Sequence, residues 1–418
     1  MQKLSIALFV FFALFQFSSC SVSLSDSNSK YSNESDTGNS GSNNDNYLPE
    51  DTGNSGEYDS GDTGNSGNTG NTGDSGNTGD TGDTSSSDES AETSDDESTE
   101  QEGSIGDLVE NEFIETSKES TSTFSIDVDT ASYSLVRNYI MSYNQMPSVN
   151  GIRIEELVNY FDYDYPQPQE GKPFSVTMEM ADSPWRDDAS IVMFGLKGKE
   201  IDPEMVPSSN LVFLLDTSGS MYSENKLPLL KKAFKKLVEK LSEKDSVSIV
   251  TYAGSSEIIL DSVKGDEKET INNALDALTA GGSTAGANGI QTAYELAEKN
   301  LNEDGNNRVI LATDGDFNVG PSSDNELVAM IETEREKGIF LTILGFGMGN
   351  YQDDKMEKLS NAGNGNYFYI DTEKEAEKVF VFDLMGNMFT IAKDVKLQVV
   401  FNPEKIEKYR LIGYENRV

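Results

Sequence analysis

Five residues, Asp216-Thr217-Ser218-Gly219-Ser220, place a carboxylate and two hydroxyls at alternate positions directly after the apolar stretch 211–215. A turn at this point would aim these three side chains at one position. Thr284, in the glycine-rich stretch 281–286, and Asp314, directly after the apolar stretch 309–313, are further oxygen donors. Oxygen donors that carry only two formal negative charges suit a hard divalent cation in octahedral geometry, and Mg²⁺ fits best, with Mn²⁺ or Ca²⁺ as alternatives. The predicted metal ligands are Asp216, Ser218, Ser220, Thr284 and Asp314.

Two absences limit the chemistry further. The chain contains no histidine, which excludes a Ser-His-Asp triad, a histidine general base and histidine-ligated metals. It contains one cysteine, Cys20, which excludes disulfides within the chain and cysteine-rich zinc sites. A formal net charge of -41 makes nucleic acid a poor candidate partner and a cation a natural one.

The metal ligands need a scaffold that brings distant stretches together, and residues 205–390 supply the pattern for one. Short apolar runs alternate there with amphipathic helical stretches, which predicts an α/β fold: a doubly wound, Rossmann-like parallel sheet with helices on both faces. Ligands of such folds bind beyond the carboxyl ends of the strands. Asp216 and Asp314 each follow a strand directly and should therefore share one edge. Strands are predicted at 211–215, 247–252, 258–260, 309–313, 340–346 and 367–370, and helices at 226–241, 271–278, 289–301, 326–337 and 354–361.

A small α+β domain is predicted at 111–204. Residues 131–143 and 152–161 have helical spacing of apolar side chains, and residues 174–181 and 190–196 have the pattern of strands.

The N-terminal 110 residues divide into an export signal and a linker. Residues 1–20 combine Lys3, an apolar run over 4–17 and Cys20 at the boundary. This run is too short for a spanning helix but suits a cleaved signal. The linker, residues 21–110, includes seven consecutive Asp/Asn-Thr/Ser-Gly triplets at 62–82. Such a segment buries too little apolar surface to order itself, so a disordered tether is expected.

Three motifs together carry a family resemblance. Asp-x-Ser-x-Ser after a first strand, a threonine in a glycine-rich loop and Asp-Gly after a later strand resemble the metal ion-dependent adhesion site of von Willebrand factor type A domains. The segments 125–133 (SIDVDTASY) and 153–161 (RIEELVNYF) resemble the N-terminal domain of bacterial type A lipoproteins. Members of that group continue past a segment like 413–417, so residues 391–418 are interpreted as the start of a truncated C-terminal β segment.

The resemblance implies a lipid-anchored binding protein of the bacterial cell envelope. Cys20 would be acylated and would be the only contact with a membrane, the outer membrane or cell surface being favoured. The partner would be a protein or cell-surface ligand that presents a carboxylate to the metal.

Other functions remain as alternatives. The metal could merely stabilise a structural envelope scaffold. A metal-assisted hydrolase would need a positioned base, and none is evident, so an enzyme is not expected. Asp216-Thr217-Ser218-Gly219 differs from an aspartic protease motif by the inserted Ser218. Taken singly, Thr284 could instead cap the helix that follows it.

Overall fold

The computed structural model describes residues 6–15, 21–25, 110–148, 151–200, 206–282, 286–315, 324–348, 352–387 and 395–414. Cys20, Thr284 and most of the predicted tether lie outside the described residues, so these assignments stay predictions. Among the described residues, no helix is both long enough and apolar enough to span a bilayer.

Two antiparallel sheets face each other across one apolar interior. The larger sheet consists of β1 (Ile6–Phe15), β3 (Ile114–Glu115), β5 (Phe174–Asp182), β6 (Ser190–Gly198) and β14 (Ile406–Ile412), in the order β3-β14-β1-β6-β5. The smaller sheet consists of β2 (Ser21–Ser25), β4 (Thr121–Ser125) and β13 (Lys396–Val400), in the order β2-β13-β4. Alternate apolar side chains of both sheets form the interior: Phe124, Val192, Phe194, Leu397, Val399, Tyr409 and Leu411.

The structure adds two pairings that the sequence analysis did not anticipate. Residues 111–204 and 391–418 were separate segments there, whereas the structure pairs β13 with β4 and β14 with β3. Part of the predicted export signal is described as strand β1, which lies between β6 and β14. Cleavage at Cys20 stays a prediction.

Two helices lie between β4 and β5 in the sequence: α1 (Ala131–Tyr143) and α2 (Ile154–Asn159). Both were predicted, α2 with longer bounds. Ala131 and Leu135 of α1 are buried in the same apolar cluster as residues of the central sheet.

The central sheet has six strands: β7 (Ser209–Asp216), β8 (Ser246–Tyr252), β9 (Ser256–Lys264), β10 (Asn306–Thr313), β11 (Ile339–Phe346) and β12 (Tyr367–Ile370). Their order is β12-β11-β10-β7-β8-β9. All neighbours are parallel except β9, which is antiparallel to β8. The expectation of an entirely parallel sheet was wrong at this edge. Only residues 253–255 connect β8 to β9, and a crossover to a parallel strand needs a dozen or more residues.

Helices cover both faces of this sheet, which confirms the predicted α/β fold. One face is covered by α3 (Leu227–Lys240), α4 (Lys268–Ala277), α8 (Glu373–Lys378) and α9 (Leu384–Asn387). The other is covered by α1 together with α5 (Gly286–Lys299), α6 (Asp324–Glu336) and α7 (Asp353–Ala362). Every residue of β7 and β10 is buried, as expected for strands with helices on both sides.

Candidate metal centre

Two neighbouring strands deliver the predicted aspartates to one edge. β7 and β10 run parallel with Leu215 beside Ala312, so Asp216 at the end of β7 lies beside Thr313, and Asp314 follows directly. The hydroxyl of Thr313 donates to Asp216 Oδ2 at 3.1 Å. Both aspartates have 0% exposed surface. The structure therefore brings Asp216 and Asp314 together, as the alternation of strands and helices predicted.

Hydrogen bonds from Ser218, Tyr252 and Thr313 hold the Asp216 carboxyl group in place. The backbone N–H of Ser218 donates to Oδ1 at 2.9 Å, and the hydroxyls of Tyr252 and Thr313 each donate to Oδ2 at 3.1 Å. Burial raises the pKa of Asp216 to about 6. Hydrogen bonds from Ser218 act to lower this pKa, and the nearby charge of Asp314 acts in the same direction as burial. A bound cation would favour the ionised form of this carboxyl.

A short turn presents the hydroxyl groups. Gly219–Tyr222 forms one turn of 3₁₀ helix, and the hydroxyls of Ser218 and Ser220 lie 2.9 Å apart. Two serine oxygens this close to each other and to Asp216 can reach one ion.

The glycine-rich loop is fastened against this turn. Gly219 N–H donates to the carbonyl of Gly282 at 3.1 Å, and Gly281 N–H donates to the carbonyl of Thr217 at 2.8 Å. A Cβ on Gly219 would lie 3.2 Å from that carbonyl of Gly282, so the close approach favours glycine. These bonds fix the loop two residues before Thr284, whose role as a ligand stays a prediction.

The sequence analysis missed one residue at this edge. Lys226, immediately before α3, places Nζ 2.8 Å from Asp314 Oδ2, and its side chain is 12% exposed. The sequence signal was weak, because a lysine at the start of an amphipathic helix is usually solvated.

The donor set fits a hard divalent cation. Within the described parts of the chain, no three acidic, cysteine or histidine side chains converge into a group that could hold a metal. A site at this edge therefore depends on hydroxyl oxygens beside its two carboxylates. All-oxygen donors with two charges suit Mg²⁺, Mn²⁺ or Ca²⁺ better than a soft transition metal.

Comparison with known proteins agrees with this fold. Residues 210–381 match the model of the von Willebrand factor type A domain, and residues 100–193 match a model described as von Willebrand factor. This chain is a von Willebrand factor type A domain protein. Residues 386–418 match the C-terminal region of the uncharacterized protein YfbK. Type A domains often bind a divalent metal and mediate protein interactions.

Similar proteins occur in other bacteria. Protein YfbK of Escherichia coli (strain K12) is 44% identical over 302 residues, which are 71% of this chain and 52% of that protein. Protein sll0103 of Synechocystis is 29% identical over 182 residues, 43% of this chain and 42% of that protein. The chain thus spans about half the length of these relatives. A solved type A structure from Catenulispora acidiphila aligns with a TM-score of 0.40 at 14% identity, covering 60% of this chain and 67% of the other.

Proposed function

We propose that this chain is a metal-dependent binding protein of the cell envelope that recognises a protein or surface partner through its type A domain. Asp216, Ser218, Ser220, Thr284 and Asp314 would hold one divalent cation, Mg²⁺ in the first instance. A carboxylate of the partner would occupy a remaining coordination position. The observation that carries the proposal is the burial of Asp216 and Asp314 at one edge, beside two serine hydroxyls 2.9 Å apart.

Charge supports this assignment. Two buried carboxylates beside one ammonium group leave the edge with an excess negative charge, which favours the binding of a divalent cation. A metal with a free coordination position then attracts an acidic ligand, and polar groups around it contribute specificity. The net charge of -41 favours a protein partner over nucleic acid.

The proposal assigns no catalytic step to the site. Both aspartates are used as ligands, and the chain has no histidine that could act as a base. A purely structural role for the metal is the main rival. A structural metal raises only the stability, whereas a binding site also gains affinity for a partner.

A lipid anchor on Cys20 is part of the proposal and is supported by the sequence alone. The apolar run 4–17 before the only cysteine has the composition of an export signal.

Replacing Asp216 with alanine tests the site. The full chain should melt at a higher temperature with Mg²⁺ or Mn²⁺ than with chelator, because a ligand that binds only the folded state stabilises it. The gain is about 2.7 kcal/mol at a free metal concentration 100 times the dissociation constant. Asp216→Ala should abolish the gain, since one remaining carboxylate carries too little charge to hold the ion. Thermal unfolding followed by circular dichroism measures both.

Asp276→Ala is the matched control, because Asp276 is exposed and pairs with Lys235 on the surface. It should keep the full metal response. Wild-type affinity in Asp216→Ala would show that the ligands were wrongly assigned, and a wild-type chain that responds to no metal would remove the proposal. Partner capture with and without chelator then separates binding from a structural role.

A further inference from the structure

Lys226 makes a charged contact inside the proposed metal centre. Its ammonium group donates to Asp314 Oδ2 at 2.8 Å, and the Asp314 side chain is fully buried while that of Lys226 is 12% exposed. An ion pair this sheltered is weakly screened by solvent, in contrast to the surface pairs of the same helix.

The path of the lysine side chain is fixed at both ends. The backbone N–H of Lys226 donates to the carbonyl of Ser223 at 2.9 Å, and its aliphatic part lies over Gly347. A Cβ on Gly347 would lie 2.3 Å from Lys226 Cε and 2.6 Å from Cγ. Tyr369 OH donates to the carbonyl of Gly347 at 2.6 Å, which holds that backbone in place. The lysine side chain therefore runs closely over Gly347 to reach Asp314.

A divalent cation bound by Asp314 would meet this ammonium at short range. Asp314 Oδ2 is the oxygen that Lys226 contacts, and a second positive charge within a few ångströms is strongly repelled in a buried site. The two cations are therefore alternatives at this carboxylate.

We propose that the ammonium group of Lys226 competes with the divalent metal for Asp314 and thereby sets the metal affinity of the site. The inference rests on the proposed function. When no metal is bound, the ammonium offsets the charge of Asp314 and stabilises this edge. Metal binding displaces the ammonium from Asp314, so part of the binding energy is consumed in breaking the ion pair.

The test is the substitution Lys226→Met, which keeps an unbranched apolar side chain over Gly347 but removes the charge. Calorimetric titration of the full chain should show Mg²⁺ and Mn²⁺ binding tighter by about tenfold or more. In chelator the same variant should melt below wild type, because Asp314 has lost its ion-pair partner. At saturating metal this deficit should shrink or reverse. A merely structural role for Lys226 would lower metal affinity and would not raise it.

Two control variants test whether the charge of Lys226 causes the change in metal affinity. Lys226→Arg keeps the cation and should bind metal close to wild type, and Lys235→Met removes a lysine of the same helix that pairs with Asp276 on the surface. Equal or weaker metal binding by folded Lys226→Met, beside a wild type that titrates normally, would overturn the competition. If neither wild type nor Lys226→Met binds any metal, the proposed function itself fails.

Discussion

Buried carboxyl groups of this chain differ in whether a cation meets them. Asp314 contacts Lys226, and Asp353 contacts Arg153. Glu155, in the first turn of α2, is 3% exposed, and its Oε2 has no hydrogen-bond partner among the described residues. Burial, together with the nearby charge of Asp127, raises the pKa of Glu155 to about 7. Ionised Glu155 therefore destabilises the fold.

Glu155→Gln should stabilise the protein increasingly as the pH rises. The folded-state pKa lies above the ordinary glutamate value of about 4.5, so the stability that protonated Glu155 supports is complete below about pH 4.5 and is lost as the pH rises to about 7. Glutamine keeps an acceptor and does not titrate. The free energy of unfolding of the variant minus that of wild type should grow by roughly 3 kcal/mol between pH 4.5 and 8. Urea unfolding at several pH values measures it.

Exposed Glu170 provides the control, since Glu170→Gln removes one carboxylate at a position in solvent. A pH dependence for Glu155→Gln no larger than that of Glu170→Gln would mean that the Glu155 carboxyl is solvated in the folded state.

The sequence was sufficient to place the aspartates and serines at one edge, because Asp-x-Ser-x-Ser directly follows an apolar strand and Asp314 follows another. Their role as metal ligands stays a prediction. It could not reveal Lys226. Its contact with Asp314 spans 88 positions in the chain and depends on the path over Gly347, which no local pattern encodes. Glu155 was hidden for the same reason, since its environment is formed by distant segments around Asp127 and Tyr414.

At the scale of elements, the loop between α7 and β12 passes very close to the backbone of β11. A Cβ on Gly365 would lie 1.7 Å from the carbonyl oxygen of Leu341 in β11. The backbone of Gly365 also donates to the carbonyl of Ser360 at 3.0 Å. No side chain fits there unless β11 and this loop separate.

Gly365→Ala should therefore lower the free energy of unfolding by about 2–3 kcal/mol, as expected for overpacking against rigid backbone. Metal affinity should be unchanged, because Leu341 lies near the amino end of β11 and the metal centre lies at the carboxyl ends of the strands. Denaturant unfolding and metal titration of the same variant measure the two effects.

Gly171→Ala is the comparison, since a Cβ there meets nothing within 4 Å and only the φ of +78° is unfavourable, which costs about 1 kcal/mol. Equal losses at both positions would mean that the loop at Gly365 yields easily.

Elements were predictable where the pattern is local and long. Most strands and helices of residues 205–390 were found because their periodicity is strong. The short helices α8 and α9 were not predicted, the predicted bounds of β9 were too short, and its predicted direction was wrong. The short connection 253–255 determines that β9 runs antiparallel to β8, because a crossover to a parallel strand needs a dozen or more residues. The pairing of β13 with β4 places Val400 beside Thr121, which is distant in the sequence. Alternation of apolar residues predicts that a strand has a partner but does not specify which strand it is, so this pairing was not predicted.

At the scale of the whole molecule, a buried charge cluster connects α2 to α7. Arg153, 2% exposed, contacts Glu156 in α2 and reaches Asp353 at 2.5 Å and Glu357 at 3.0 Å in α7. Its pKa is raised well above the usual value; burial opposes the charge, and the charges of Asp353 and Glu156 outweigh it. The segment 153–161, which the sequence analysis interpreted as a helix and as part of the family resemblance, thus joins the α+β region to the type A domain.

Arg153→Met should destabilise the protein by about 3–5 kcal/mol at neutral pH, because it leaves three buried carboxylates without their common cation. Part of the loss should be recovered near pH 5 as the carboxyl group of Asp353, whose pKa burial already raises, takes up a proton. Urea unfolding at the two pH values measures this.

Arg186→Met is the matched surface change, since Arg186 pairs with Asp188 in solvent, and it should leave stability nearly unchanged at either pH. A wild-type unfolding curve for Arg153→Met would show that the cluster does not hold the two regions together.

The Arg153 cluster also determines how the molecule would carry tension. A chain held at its N-terminal side and pulled by a partner at the metal edge would be loaded across the contact between α2 and α7. Buried ion pairs strongly resist the first ångström of separation, and they lose most of their attraction once water enters the gap. Such a joint is stiff under small forces and brittle beyond a threshold.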